Sequence, residues 1–218
     1  RKNQMDDPPH IILLPEVAFN PEAFINEVQN CLQKNKYCLV VASEGIKDAN
    51  GNYVAAADGK IDNFGHAQLG GVGDYLQNLV QTSLSGVKAR SCKFGHAQRA
   101  GSHCSSLTDS NEAFMCGQEA VKAAVSGETG VMVALVRGDT DKYSCETSLV
   151  DLNEVANVEK KFPENWIGED KISISYQFNK YILPLIQGEV QVPFENGLPS
   201  YVRLANNMVE QLLPPYEL

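Results

Sequence analysis

The sequence predicts an α/β fold. Three observations carry that prediction. Short apolar runs alternate with amphipathic stretches through the first two-thirds of the chain. A capped helix start sits between the first two apolar runs, which is the order of a strand–helix–strand unit. Turn signals such as Asn50-Gly51 and Asp58-Gly59 separate the segments.

Residues 10–14 read as a buried strand. Asn20-Pro21-Glu22 then opens a helix, with Asn20 as N-cap and Pro21 at the first helical position. Phe24, Ile25, Val28 and Leu32 form its apolar stripe, and Lys34 and Lys36 suit its C-terminal end. Residues 37–43 form the next strand, whose Cys-Leu-Val-Val-Ala centre reads as buried on both faces, as in a parallel sheet. Residues 46–73 turn polar and glycine-rich, with a short run at 53–57 between the two turn signals. A helix over 74–84 and a strand over 87–94 follow. Asp109 is placed to cap a helix over 110–125 that Gly127 stops, and residues 131–137 form a further strand. Beyond Asp151 the pattern loosens, with a C-terminal helix expected over 201–213 before Pro214-Pro215.

The chain has 218 residues, a formal net charge of −9 and a pI near 4.9. That balance excludes general nucleic-acid binding, which needs a basic footprint. It leaves room for a phosphorylated ligand, because a few clustered basic residues can hold a phosphate on an acidic protein. No apolar run approaches the roughly 18 residues of a membrane span, and no signal peptide is visible, so a cytoplasmic protein without a membrane partner is expected. Six cysteines show no CxxC or CxH spacing and are expected as reduced thiols.

The densest set of phosphate-compatible groups is Lys88, Arg90, Lys93, His96, Arg99 and His103. On a strand over 87–94, Lys88 and Arg90 share one face. The following loop carries His96 and Arg99 at a strand's C-terminal end, where open α/β sheets bind ligands. Arginine grips phosphate oxygens bidentately and imidazole donates to phosphate or hydroxyl. Spacing alone leaves a solvated basic stretch as the competing reading. Glu16, just after Leu13-Leu14-Pro15, and Glu44-Gly45 are carboxylates at strand exits, suited to sugar hydroxyls or to plain surface loops. Gly70-Gly71-Val72-Gly73 reads as a tight turn, since it lacks dinucleotide-loop spacing and Asp74 follows. Phe64-Gly65-His66-Ala67-Gln68 recurs as Phe94-Gly95-His96-Ala97-Gln98, a five-residue match read as coincidence, since Leu69-Gly70-Gly71 follows the first copy and Arg99-Ala100-Gly101 the second. No nucleophile elbow or zincin motif occurs.

These residues together resemble a known family. Leu14-Pro15-Glu16, a helix, a strand ending Ser43-Glu44-Gly45, and Arg90 followed by Gly95-His96-Ala97-Gln98-Arg99 look like the C-terminal, fructose 6-phosphate-binding half of 6-phosphofructokinases. His103, Ser106, Asp109, Glu112-Ala113 and Gly117 are similar to the pyrophosphate-dependent branch. So are Thr129-Gly130, Val155-Ala156-Asn157, Glu159-Lys160 and Trp166-Ile167. The resemblance spans most of residues 8–170.

It implies Rossmann-like parallel sheets with flanking helices, as part of a two-lobe phosphofructokinase fold. Residues 1–99 would be part of the sugar-phosphate lobe, 100–200 the returning part of the phosphoryl-donor lobe, and 201–218 a C-terminal helix and tail. By position, Glu16 would accept from a sugar hydroxyl, while Arg90, His96 and Arg99 would bind the 6-phosphate. In the family the arginine at the Arg90 position often acts from a neighbouring subunit, which implies a homo-oligomer. The family's Gly-Gly-Asp donor loop, Thr-x-Asp-x-Asp catalytic segment and Met-Gly-Arg segment are absent. The resemblance therefore implies a glycolytic kinase whose pyrophosphate or ATP site and Mg²⁺ lie mainly in a missing half. The chain would associate with that N-terminal half and by itself be inactive. Two other readings stand beside this one: a non-catalytic sugar-phosphate-binding module or regulatory subunit, and an unrelated acidic α/β domain.

Overall fold

The computed structural model describes residues 6–61, 67–69, 71–101, 105–138, 142–205, 207, 208 and 210. It begins with β1 (Ile11–Leu13), α1 (Pro21–Asn35) and β2 (Val40–Ala42), and β1 pairs with β2 in parallel, Ile11 opposite Val40 and Leu13 opposite Ala42. A parallel neighbour needs a crossover, and α1 supplies it. The Asn20 side chain accepts from the Ala23 N–H at 3.0 Å, and Pro21 follows at the first helical position. Phe24 and Val28 are buried, with Ile25 and Leu32 packed beside them. Each fully buried side chain of this size contributes roughly 1.5–3 kcal/mol.

The core that this unit founds joins Ile11, Leu13, Phe19, Phe24, Val28 and Ile46 to Val72, Leu76 and Val80 of α2 (Val72–Ser83). Only one face of the parallel pair is covered. Tyr37, Leu39 and Val41 alternate outward, and Val41 is 49% exposed. The expected two-sided burial of residues 37–43 is thus overturned: α1 packs one face, and nothing among the described residues crosses the other.

Between β2 and α2 the chain is built from turns and a hairpin. Asp48 accepts from the Asn50 and Asn52 amides at 2.9 Å each, closing the turn in which Gly51 takes a φ of +82°. These hydrogen bonds hold the Asp48 carboxyl below its usual range. β3 (Ala56–Ile61) and β4 (Ala67–Leu69) pair antiparallel, so Asp58-Gly59 lies inside a strand and is no turn. The first pentapeptide copy, Gly70, His103 and Cys104 fall wholly or partly outside the described residues.

The expected strand over 87–94 is absent. The segment is extended, but it is tied to α2 by side chains in place of a ladder. The Ser91 amide donates to Gln77 Oε1 at 2.7 Å, Gln81 donates to the Ala89 carbonyl at 3.1 Å, and the Ser91 hydroxyl donates to Asp74 at 2.6 Å. The two approach closely at Gly73, where a Cβ would stand 3.2 Å from that of Ser91.

Beyond α3 (His96–Arg99), α4 (Leu107–Val125) is capped by Ser106, whose hydroxyl accepts from the Asp109 amide at 3.1 Å. The cap expected at Asp109 is therefore displaced, because the helix begins a turn earlier. Gly127, at φ +90°, ends it. α4 packs on β5 (Val131–Arg137), which forms an antiparallel pair with β6 (Cys145–Asp151), Val131 opposite Asp151 and Arg137 opposite Cys145. Here Glu112 is buried and accepts from the Tyr143 hydroxyl. Short α5 (Leu152–Val155) and a single 3₁₀ turn (Glu164–Trp166) lead to α6 (Tyr176–Ile182), and β7 (Phe194–Glu195) pairs with β8 (Leu198–Pro199). Phe162, Trp166, Phe178 and Tyr181 gather into one aromatic cluster, with Trp166 and Tyr181 centroids 4.5 Å apart. Arg137 lies over the Tyr181 ring at 4.2 Å and donates to its carbonyl at 2.7 Å. The described residues from 201 to 210 are not helical, contrary to the helix expected there. That segment is highly exposed, with Met208 95% accessible, so it buries no apolar stripe.

Residues 160–175 return to the first unit. The Ile12 amide donates to the Ile172 carbonyl at 2.8 Å, and Ile172 packs against the core of residues 11–80. The described cysteines Cys31, Cys38, Cys92, Cys116 and Cys145 are free thiols. No helix among the described residues is long and apolar enough to cross a membrane.

Two outcomes test these contacts. Asn20→Ala removes the cap of the crossover helix and lowers unfolding free energy in urea by about 1 kcal/mol. Burial, and then donation to Glu112, push the Tyr143 hydroxyl above its ordinary range. The folded state therefore holds that proton more tightly than the unfolded chain. Its stabilising effect is present below about pH 10, the unfolded value, and is lost as pH rises past it. Tyr143→Phe flattens that alkaline fall in unfolding free energy, and an unchanged slope refutes the assignment.

Candidate functional site

Because β1 and β2 run in parallel, their exits lie at one edge of the sheet. Leu14-Pro15-Glu16 leaves β1 there and Ser43-Glu44-Gly45 leaves β2. The two loops touch: a Cβ on Gly45 would meet the Pro15 ring at 3.7 Å. Crevices outside the carboxyl ends of parallel strands are the usual ligand sites of such sheets.

Glu16 is exposed at this edge, and its Oε1 accepts from the Phe162 amide at 2.8 Å. That bond fixes one carboxylate oxygen and anchors the returning 160–175 segment. Sequence reading gave no sign of this partner, since Phe162 lies far along the chain and contributes only its backbone.

The basic segment reaches the same edge through Lys93, whose ammonium pairs with Glu44 at 3.0 Å. Both groups are largely exposed, so the pair contributes little to stability and matters for placement. Two residues singled out separately in the sequence, one basic and one acidic, thus turn out to satisfy each other. Arg90 is exposed on the extended stretch that Ser91 and Ala89 dock onto α2. His96 and Arg99 open and close the one-turn helix α3, and both are exposed. Their spacing of three along a helix sets them on one side. The Arg99 amide donates to the Gly95 carbonyl at 3.3 Å and the Ala100 amide to that of His96 at 2.9 Å, closing the turn.

The edge therefore carries two carboxylates, Glu16 with one oxygen engaged by the Phe162 amide and Glu44 paired with Lys93, and Lys93 belongs to the same basic segment as Arg90, His96 and Arg99. That set suits a ligand with hydroxyls at one end and a phosphate at the other. Among the described residues, the group with metal-ligand geometry is His10, Cys31 and Cys38. Sulfur and imidazole do not suit Mg²⁺, which takes oxygen ligands.

The phosphofructokinase family model matches residues 5–124. Over 212 residues the chain is 39% identical to a pyrophosphate–fructose 6-phosphate 1-phosphotransferase of Halomonas elongata, covering 97% of this chain and 50% of that protein. A relative of the same name from Methylococcus capsulatus is 41% identical over 203 residues, covering 93% of this chain and 48% of its own length. The crystal structure of a pyrophosphate-dependent phosphofructokinase from Marinobacter aquaeolei superposes with a TM-score of 0.78 at 34% identity, covering all of this chain and 50% of that one. The chain spans about half the length of the curated relatives it matches, and on the span, identity and shared fold of these matches it belongs to the phosphofructokinase family.

Proposed function

We propose that this chain supplies the fructose 6-phosphate-binding portion of a phosphofructokinase whose phosphoryl donor is pyrophosphate, with ATP the alternative. The observation that supports the reading is the Lys93–Glu44 pair, which ties the basic segment to the strand-exit edge where Glu16 also stands, inside the family match. Arg90, His96 and Arg99 hold the 6-phosphate, and Glu16 Oε2 accepts from a sugar hydroxyl. Their work is positioning: phosphoryl transfer to the 1-hydroxyl requires nucleophile and donor in line, and anchoring the far end of the sugar sets that line.

Donor binding belongs to the remaining half of the parent protein, and Mg²⁺, which neutralises donor charge when bound, is held there. The division into a sugar-phosphate lobe over residues 1–99 and a donor lobe over 100–200 fits the buried core, which lies in residues 11–80. The segment near Ile172 is the exception, since it packs back on that core. The incomplete second unit leaves Phe114, Val121 and Val125 of α4 exposed, Val125 at 85%. We assign that stripe to contact with the other half. A cytoplasmic homo-oligomer, with Arg90 serving a neighbouring subunit, is the assembly this reading implies.

Calorimetric titration of fructose 6-phosphate onto the chain tests the site. Arg99→Ala removes a charge-assisted grip worth about 1.5–3 kcal/mol and weakens binding on the order of 10- to 100-fold. Equal affinity of wild type and variant, with matching circular dichroism, refutes the assignment. The chain by itself is inactive with pyrophosphate or ATP. Measured turnover would place the transferring groups here and overturn the division of labour.

A further inference from the structure

A cluster of soft ligands lies at the opposite edge of the parallel pair. His10 precedes β1, Cys31 sits in the last turn of α1, and Cys38 lies just before β2. One potential ligand atom from each comes within 4.8 Å of the other two. All are half-buried, and they converge from three separate segments.

The imidazole is held from two directions. The Leu39 amide donates to its Nδ1 at 2.9 Å, and the Tyr37 ring meets it edge-on at 5.0 Å. His10 Nε2 is buried and has no hydrogen-bond partner. A neutral imidazole that accepts at Nδ1 carries its proton on Nε2, so this ring buries an unmet donor beside two sulfurs. Such groups are rare in folded proteins and call for a specific cause. The Asn35 side-chain amide approaches Cys31 Sγ at 3.7 Å, and that thiol donates to the Tyr37 carbonyl at 3.5 Å.

We propose that His10, Cys31 and Cys38 bind Zn²⁺ through two thiolates and one imidazole nitrogen, with a water or added ligand in the fourth position. Sulfur and imidazole together select a tetrahedral, borderline-soft ion. Two thiolates neutralise the dication, which suits a half-buried position. The two thiol protons leave to solvent. The imidazole proton passes from Nε2 to Nδ1 as the ring releases the Leu39 amide, and Nε2 takes the metal. The ion then clips the lead-ins of β1 and β2 to the end of the crossover helix, and so braces the pair whose other edge carries Glu16.

Titration of the reduced, chelator-treated full chain with Co²⁺, followed by displacement with Zn²⁺, tests the site. One equivalent is expected to produce a thiolate-to-cobalt charge-transfer band that Zn²⁺ removes. Cys31→Ser, Cys38→Ser and His10→Gln should each weaken binding at least ~10-fold, given that loss of even an outer-shell partner costs about that much. Cys92→Ser should leave it unchanged. Absence of the band, or an unchanged Co²⁺ affinity in His10→Gln or in either of the two serine variants, overturns the proposal. If a variant fails to fold, the wild type still decides through alkylation mapped by mass spectrometry. Zn²⁺ must shield Cys31 and Cys38 while Cys92 reacts, and equal labelling, or a Cys31–Cys38 disulfide under reducing conditions, refutes the site.

Discussion

Ile11 and Leu13 of β1 meet Phe24 and Val28 of α1 in a crossover that sets β2 beside β1 in parallel. Every other described feature of the first unit depends on that packing. It carries the exits of both strands to one edge, which brings Pro15 against Gly45 and fixes where Glu16 and Glu44 stand. It gives α2 a surface for Val72, Leu76 and Val80, and α2 in turn holds the extended segment that bears Arg90. A parallel pair of only three residues per strand has too few ladder bonds to persist alone. Burial behind the crossover helix is what makes it stable.

The two ends of the pair carry different chemistry for the same geometric reason. Strand exits present oxygen ligands and cations, with Lys93 tethered to Glu44 and Glu16 tethered to Phe162. Strand entries present sulfur and imidazole, where Cys31 of α1 meets His10 and Cys38 just ahead of the two strands. The second unit is different in kind. Its antiparallel β5–β6 pair and α4 bury a carboxylate against a tyrosine, while α4 keeps apolar residues open to solvent.

Local rules determined the first unit well. The Asn20-Pro21 start, the Phe24-to-Leu32 stripe and the glycine after α4 are read correctly because caps, stripes and stops act within one or two turns of chain. The basic run from Arg90 to Arg99 and the carboxylates at 16 and 44 stood out as residue types, but spacing alone left a solvated surface as the competing reading. Tertiary contact decided the rest. Residues 87–94 have strand composition, yet they satisfy their backbone through Gln77 and Gln81, since no strand lies alongside among the described residues. Asp58-Gly59 lies within a strand because Ala56 and Ile61 on either side of it pair with β4, and Ser106 displaced Asp109 as cap because α4 docks near Leu185. The pairing of Lys93 with Glu44, the grip of Phe162 on Glu16 and the meeting of His10 with two cysteines all join residues distant in sequence. Periodicity and propensity report only on neighbours along the chain, and these contacts exist only once the crossover has folded.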